Sequence, residues 1–138
     1  MNLNYQKQFT ISEKISFSGV GVHSGIESKI TLAPANTKSG IKFIKENHII
    51  DLDINNIEKS FLCTKITNNK VSIFTIEHLL SALYGLGINN INIFVQGEEI
   101  PILDGSAKIF VHKIKEKIIV QDINREFLEL NQAIYIRE

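Results

Sequence analysis

A chain of 138 residues with 43% apolar content can form one domain with a real core, or one domain and the beginning of another. Fifteen basic and fifteen acidic residues cancel, and only two of the basic ones are Arg, so there is no general electrostatic case for nucleic acid or an anionic membrane as partner. A single cysteine, Cys63, excludes an internal disulfide and a cysteine-based structural zinc site, and suits a reducing compartment.

Residues 1–8 lack the continuous apolar run of a signal peptide, and no later stretch approaches eighteen consecutive apolar residues. The expectation is a cytoplasmic protein with at most peripheral membrane contact. From Phe9 to Phe17, Phe9, Ile11, Ile15 and Phe17 alternate with polar residues, which predicts a strand or hairpin with one wet face. Residues 18–25, Ser-Gly-Val-Gly-Val-His-Ser-Gly, then place three glycines in eight positions. There the backbone can take positive φ or let a ligand come close; on spacing alone a bulged strand end and turn is favoured over a binding loop. The glycines match neither a dinucleotide fingerprint nor a Walker loop.

Ile30 with Leu32, and Ile41 with Phe43, predict two further strands separated by turns at residues 33–36 and 39–40, giving a meander of short antiparallel strands. Ile50, Leu52 and Ile54 alternate and suggest another. Residues 60–66 and 71–74, separated by Thr67-Asn68-Asn69-Lys70, read as a hairpin. Its second strand runs into an amphipathic helix over residues 75–87, where Ile76, Leu79, Leu80, Leu83 and Leu86 form one apolar stripe and Gly85 and Gly87 supply the stop. Thr75 is expected as its N-cap, which would make Glu77 and His78 the second and third helical residues. The positive end of the helix dipole there favours an ionised carboxylate and a neutral imidazole, the forms needed of a general base and a metal ligand.

After that helix, Ile91, Ile93 and Val95 form a clear alternating strand, and residues 98–106 an extended segment with a turn at Asp104-Gly105. Ser106 is expected to cap a second helix in which Ala107, Phe110, Val111 and Ile114 face inward and Lys108, Lys113, Lys115 and Lys117 face water. A short strand plus connector is expected over residues 118–125. Phe127, Leu128, Leu130, Ile134 and Ile136 are expected to begin new β structure, so that the chain ends just after a second domain begins.

By residue type alone, a Glu-His pair on a helix is more often a solvated Glu beside a core-edge His. Zinc helices carry two ligands in H-E-x-x-H or H-x-x-E-H, whereas Phe74 and Ala82 stand four residues either side of His78. This helix therefore offers one ligand. Any others would come from His23, His48, His112, Asp104 or protein outside this chain, with His23 in the glycine loop the best placed. Cys63 has no neighbouring base in sequence and reads as a small buried hydrophobe, and Asp104 before a glycine reads as a turn former.

Four blocks in register carry more information than spacing does. Ser18-Gly-Val-Gly-Val-His23-Ser-Gly25, Leu62-Cys63-Thr64, Thr75-Ile-Glu77-His78-Leu with Ala82-Leu83-x-Gly-Leu-Gly87-Ile-x-Asn90, and Glu99-Ile-Pro101-Ile-x-Asp104-Gly-Ser106-Ala together resemble the UDP-3-O-acyl-N-acetylglucosamine deacetylase family of lipid A biosynthesis. The resemblance implies a zinc enzyme of two similar α+β lobes, each a small, mainly antiparallel sheet packed against two helices in the manner of the second domain of ribosomal protein S5. Zinc (Zn2+) would be bound between the lobes. Residues 1–125 would be the first lobe and 126–138 the first strand of the second.

By the same resemblance Glu77 is the general base and His78 one zinc ligand; His23, Leu62 and Cys63 line the substrate site, and Asp104 supports it. The remaining ligands, a His and an Asp, come in that family from the second lobe. The expected substrate is a UDP-linked acylated glucosamine, and the expected partner is the missing lobe or another protein surface. The 138 residues alone are expected to be inactive or nearly so. The alternative is a non-catalytic remnant lobe that serves as a binding or assembly module, and both readings call for an exposed apolar face.

Overall fold

The computed structural model describes residues 6–137. Its centre is a five-stranded sheet in the spatial order β2 (Ile15–Val20), β3 (Glu27–Pro34), β9 (Ile91–Gln96), β4 (Ile41–Lys45), β5 (His48–Asp51). Because strand side chains alternate, one row across all five strands is wholly apolar: Ile15 lies opposite Leu32, Leu32 opposite Ile93, Ile93 beside Phe43 and Phe43 opposite Ile50. All five are buried. Each such side chain contributes on the order of 1.5–3 kcal/mol by leaving water. The neighbouring row faces outward with Ser16 and Thr31, whose hydroxyls meet at 2.9 Å.

Two expectations about pairing are corrected here. The meander does not form: β9 inserts between β3 and β4, antiparallel to the first and parallel to the second. Nor does the first stretch fold back on itself, since β1 (Lys7–Ile11) pairs with β10 (Ile118–Asn124) at the far end of the chain. Local alternation defines which face of a strand is apolar but says nothing about its neighbour, and burial of complete apolar rows decides that. The β1–β10 ribbon is fastened to the sheet by an amide cluster. Asn90 Nδ2 donates to Gln8 Oε1 and Gln121 Oε1, and Asn90 Oδ1 accepts from the Gly40 N–H.

A three-stranded sheet of β6 (Ile57–Glu58), β7 (Lys65–Thr67) and β8 (Ser72–Phe74) contains the expected hairpin, although its first strand starts only at Lys65. Similarly, β5 stops at Asp51; Leu52 lies outside it and Ile54 belongs to a 3-10 turn, Ile54–Asn56. The helix α1 (Glu77–Gly85) buries Leu79, Ala82 and Leu83 and ends as the glycines require. Gly87 takes φ 72°, with Gly87 N–H donating to Tyr84 O and Ile88 N–H to Leu83 O, the paired bonds of a Schellman stop. In α2 (Lys108–Lys115), Phe110 and Ile114 are buried, the Phe110 ring lies 4.8 Å from that of Phe17, and Lys108, Lys113 and Lys115 are exposed.

Two helices on mainly antiparallel sheets make this an α+β fold, as expected. Residues 126–137 carry no strand, contrary to expectation, and their apolar side chains Leu128, Leu130, Tyr135 and Ile136 are exposed. A strand needs a partner for its backbone groups, and none of the described residues supplies one there.

Candidate functional site

The corner of interest forms where β8 hands over to α1. Thr75, between them, adopts φ 58°, a left-handed conformation that a β-branched residue rarely takes. Its expected capping role is corrected: the residue before the helix is Ile76, no side chain caps it, and Glu77 and His78 are the first and second helical residues. The Thr75 hydroxyl instead donates to Glu99 Oε1 at 2.7 Å. The backbone on either side is clamped: before it Phe74 N–H donates to Glu98 O and Ile100 N–H to Phe74 O, and after it Ile76 N–H donates to Thr64 O.

Glu99 is the residue that sequence reasoning missed. It is 3% exposed, and its carboxylate accepts from two consecutive N–H groups of the glycine loop, His23 at 3.1 Å and Ser24 at 2.9 Å. Burial by itself would raise its pKa. The hydrogen bonds from Thr75, Ser24 and His23 outweigh burial and hold it at about 2. Gly21 is explained by the same carboxylate, for a Cβ there would collide with Glu99 and with the Ser24 hydroxyl. What approaches the glycine-rich backbone is thus the protein's own carboxylate. A run of unpaired loop N–H groups was the available signal, since such groups call for an acceptor.

Glu77 is half-buried at the first turn of α1. Thr64 N–H donates to its Oε2 at 3.1 Å, and Ile76 N–H donates back to Thr64 O at 3.4 Å, so the loop carrying Leu62 and Cys63 is tied to the helix start. Leu62 takes φ 64° and is 75% exposed beside the exposed Phe61. Cys63 is half-buried with its Sγ 3.4 Å from the Ser60 hydroxyl. His78 is half-buried and its ring makes no hydrogen bond to the described residues. On the outward side of α1, Glu77 borders a shallow, mainly apolar cleft lined by Ile41, Leu52, Leu80, Tyr84 and Ile88.

The structure therefore links four of the six singled-out positions through short hydrogen-bonded paths: His23 to Glu99 to Thr75, then α1 with Glu77 and His78, then Thr64 beside Cys63. Leu62 is next in chain. Asp104 stays apart from this network. Its Oδ1 accepts from Ser106 N–H and Oγ–H, and Ser106 Oγ accepts from Lys108 N–H, which is the turn-forming use of such a residue at the entry to α2; the expected cap is corrected, since Ala107 is the residue before α2 and no side chain caps it. His48 is half-buried on β5 with its Nδ1 2.9 Å from Glu46 O, and His112 is exposed on α2. Among the described residues no three His, Cys, Asp or Glu side chains converge in a way that could hold a metal.

An α+β lobe thus presents a carboxylate and an unpaired imidazole from the first turn of a helix, beside an open, mainly apolar cleft. A family model described as UDP-3-O-acyl N-acetylglycosamine deacetylase matches residues 8–138. The chain belongs to that deacetylase family. Proteins named UDP-3-O-acyl-N-acetylglucosamine deacetylase are similar to it throughout. The one from Anaeromyxobacter sp. (strain Fw109-5) is 37% identical over 99% of this chain and 46% of the relative; that of Helicobacter pylori is 37% identical over 96% and 46%. The one from Hydrogenovibrio crunogenus is 36% identical over 95% and 46%. The chain spans about half the length of these relatives.

Proposed function

We propose that this chain supplies the first half of a zinc-dependent deacetylase that removes the N-acetyl group of a UDP-3-O-(3-hydroxyacyl)-N-acetylglucosamine in the cytoplasm. One observation carries the reading: Glu77 and the unpaired His78 stand together at the first turn of α1 within a chain matched by the deacetylase family from residue 8 onward. Thr64 N–H fixes one oxygen of the Glu77 carboxylate, and the other has no donor among the described residues. That oxygen is the one to take a proton from the water attacking the acetyl carbonyl and to return it to the departing amine.

The described residues do not build a zinc site by themselves. In this reading His78 gives one imidazole to a zinc shared with a second lobe, because a catalytic zinc takes three protein ligands. His23, Leu62 and Cys63 border the substrate, and the apolar cleft on α1 faces the second lobe. The expected partner is that lobe, and no helix of the described residues is long and apolar enough to cross a membrane.

The test is a chimera in which this chain replaces the corresponding half of the Helicobacter pylori relative, compared with the 138 residues alone. The lone chain should bind zinc weakly and turn over little substrate, whereas the chimera should bind zinc tightly and deacetylate the substrate. In the chimera Glu77→Ala should slow deacetylation by roughly 10²–10⁴ while zinc content is kept, and His78→Ala should lose the metal. A chimera that folds cooperatively yet binds no zinc and hydrolyses nothing refutes the reading and leaves the assembly module.

A further inference from the structure

We propose that Glu99 is the positioning residue of this corner: its buried carboxylate holds Thr75 in the left-handed region and so aims Glu77 and His78, while the same carboxylate fixes the loop that carries His23. The inference rests on the reading of Glu77 and His78 as base and ligand, and goes beyond it by naming what sets their direction.

Three observations support it. Thr75 is a β-branched residue at φ 58°, buried to 2% exposure, immediately before the turn that begins α1. A residue in that region persists only where its surroundings over-determine it; here the backbone bonds of Phe74 and Ile76 flank it, and the one side-chain bond of Thr75 itself runs to Glu99. Rotation about Thr75 would swing the whole first turn, because Ile76 and Glu77 follow directly. Second, the same carboxylate receives His23 and Ser24 N–H, so the glycine loop and the start of α1 share one anchor although they are far apart in sequence. Third, the anchor is used by nothing else. Glu99 has no ion-pair partner among the described residues, and its charge is met entirely by neutral donors from those two segments. Gly21 keeps the space open for it.

The experiment is amide NMR on the 138-residue chain. Glu99→Gln keeps the volume but places an NH2 group against N–H or O–H donors. It should raise the exchange rate of the His23 and Ser24 amides at least about tenfold over that of Ile30 and Ile93 in the central sheet, and should shift the Glu77 and His78 resonances. Adding Thr75→Gly should return the Glu77 and His78 resonances toward wild type, since glycine takes φ 58° unaided, and should leave His23 and Ser24 exchanging fast. A purely structural role has no such split.

Thr75→Val, which removes only the hydroxyl, should shift the Glu77 and His78 resonances and Thr75→Ser should not; this pair decides the matter even if Glu99→Gln does not fold. Loop exchange that rises only in step with Ile30 and Ile93, or Glu77 and His78 resonances indifferent to Thr75→Val, overturns the proposal. In the active chimera Glu99→Gln should lower kcat at least about tenfold with zinc content unchanged, and an unchanged kcat overturns it equally. A wild-type chimera without activity would sink the deacetylase reading alone, because the NMR arms require no turnover.

Discussion

At the entry to α2, everything the first turn needs lies within four residues: Asp104 accepts from Ser106, and Ser106 accepts from Lys108. At the entry to α1 the same task falls to Glu99 and Thr64, which are 24 positions from Thr75 and 13 from Glu77 respectively. The outward faces differ as well. α2 turns lysines to water, whereas α1 shows Tyr84, 82% exposed, beside an apolar cleft. The contrast separates a helix whose start is closed within its own sequence from one whose start is held by distant parts of the chain. A locally closed helix start is robust and presents nothing; an end held from a distance can be aimed, and it depends on the rest of the fold.

The largest effect should come from the packing helix. Phe110→Ala removes a fully buried ring against Phe17 and should cost roughly 3–5 kcal/mol by urea denaturation, affecting both helix entries together because they share one core. Next is the acid dependence of the α1 entry. The Glu99 carboxyl sits at about 2 in the folded chain against an ordinary 4.5. A depressed folded value means that its stabilisation is complete above the ordinary value and is lost as pH falls from about 4.5 toward 2. At about 1.4 kcal/mol per unit that is roughly 3 kcal/mol, so acid denaturation of Glu99→Gln should be flatter over that window than wild type. Equal slopes would mean that Glu99 does not anchor the corner.

Ser106→Ala removes the hydroxyl that accepts from Lys108 N–H ahead of α2 and should cost about 1 kcal/mol in the same denaturation assay, the usual net worth of one hydrogen bond, and should leave the Glu77 and His78 resonances in place. Smallest of all, Tyr84→Ala should change the stability of this chain by less than about 0.5 kcal/mol. In the chimera, however, it should weaken association of the two halves, measurable as a lower unfolding midpoint. A large loss in the lone chain would show that the α1 face already has a partner within these residues.

Much of the local structure was legible. Alternation placed the strands around Ile30, Ile41 and Ile91, the apolar stripe and Gly87 bounded α1, and the spacing of Phe110 and Ile114 marked α2, because each signal depends on a few adjacent residues. Pairing was not legible. Nothing near Ile91 says that its strand will divide β3 from β4, or near Phe9 that its partner is Ile118 and its neighbours. The site shows the same division. Glu77 and His78 could be picked out from the helix they open, but Thr75 was misread because threonine caps helices far more often than it adopts positive φ. Glu99 in sequence is one of two acidic residues before a turn.

What the sequence determined by itself is the set of elements, the apolar face of each, and the four blocks that place the chain in the deacetylase family. Tertiary structure alone decided that a single buried carboxylate joins the glycine loop to the start of α1. The reason is physical: a strand or helix period is written in neighbouring side chains, whereas the bonds of Glu99 exist only once the main sheet has brought residues 23, 24, 75 and 99 to one place and excluded the water that would otherwise satisfy them.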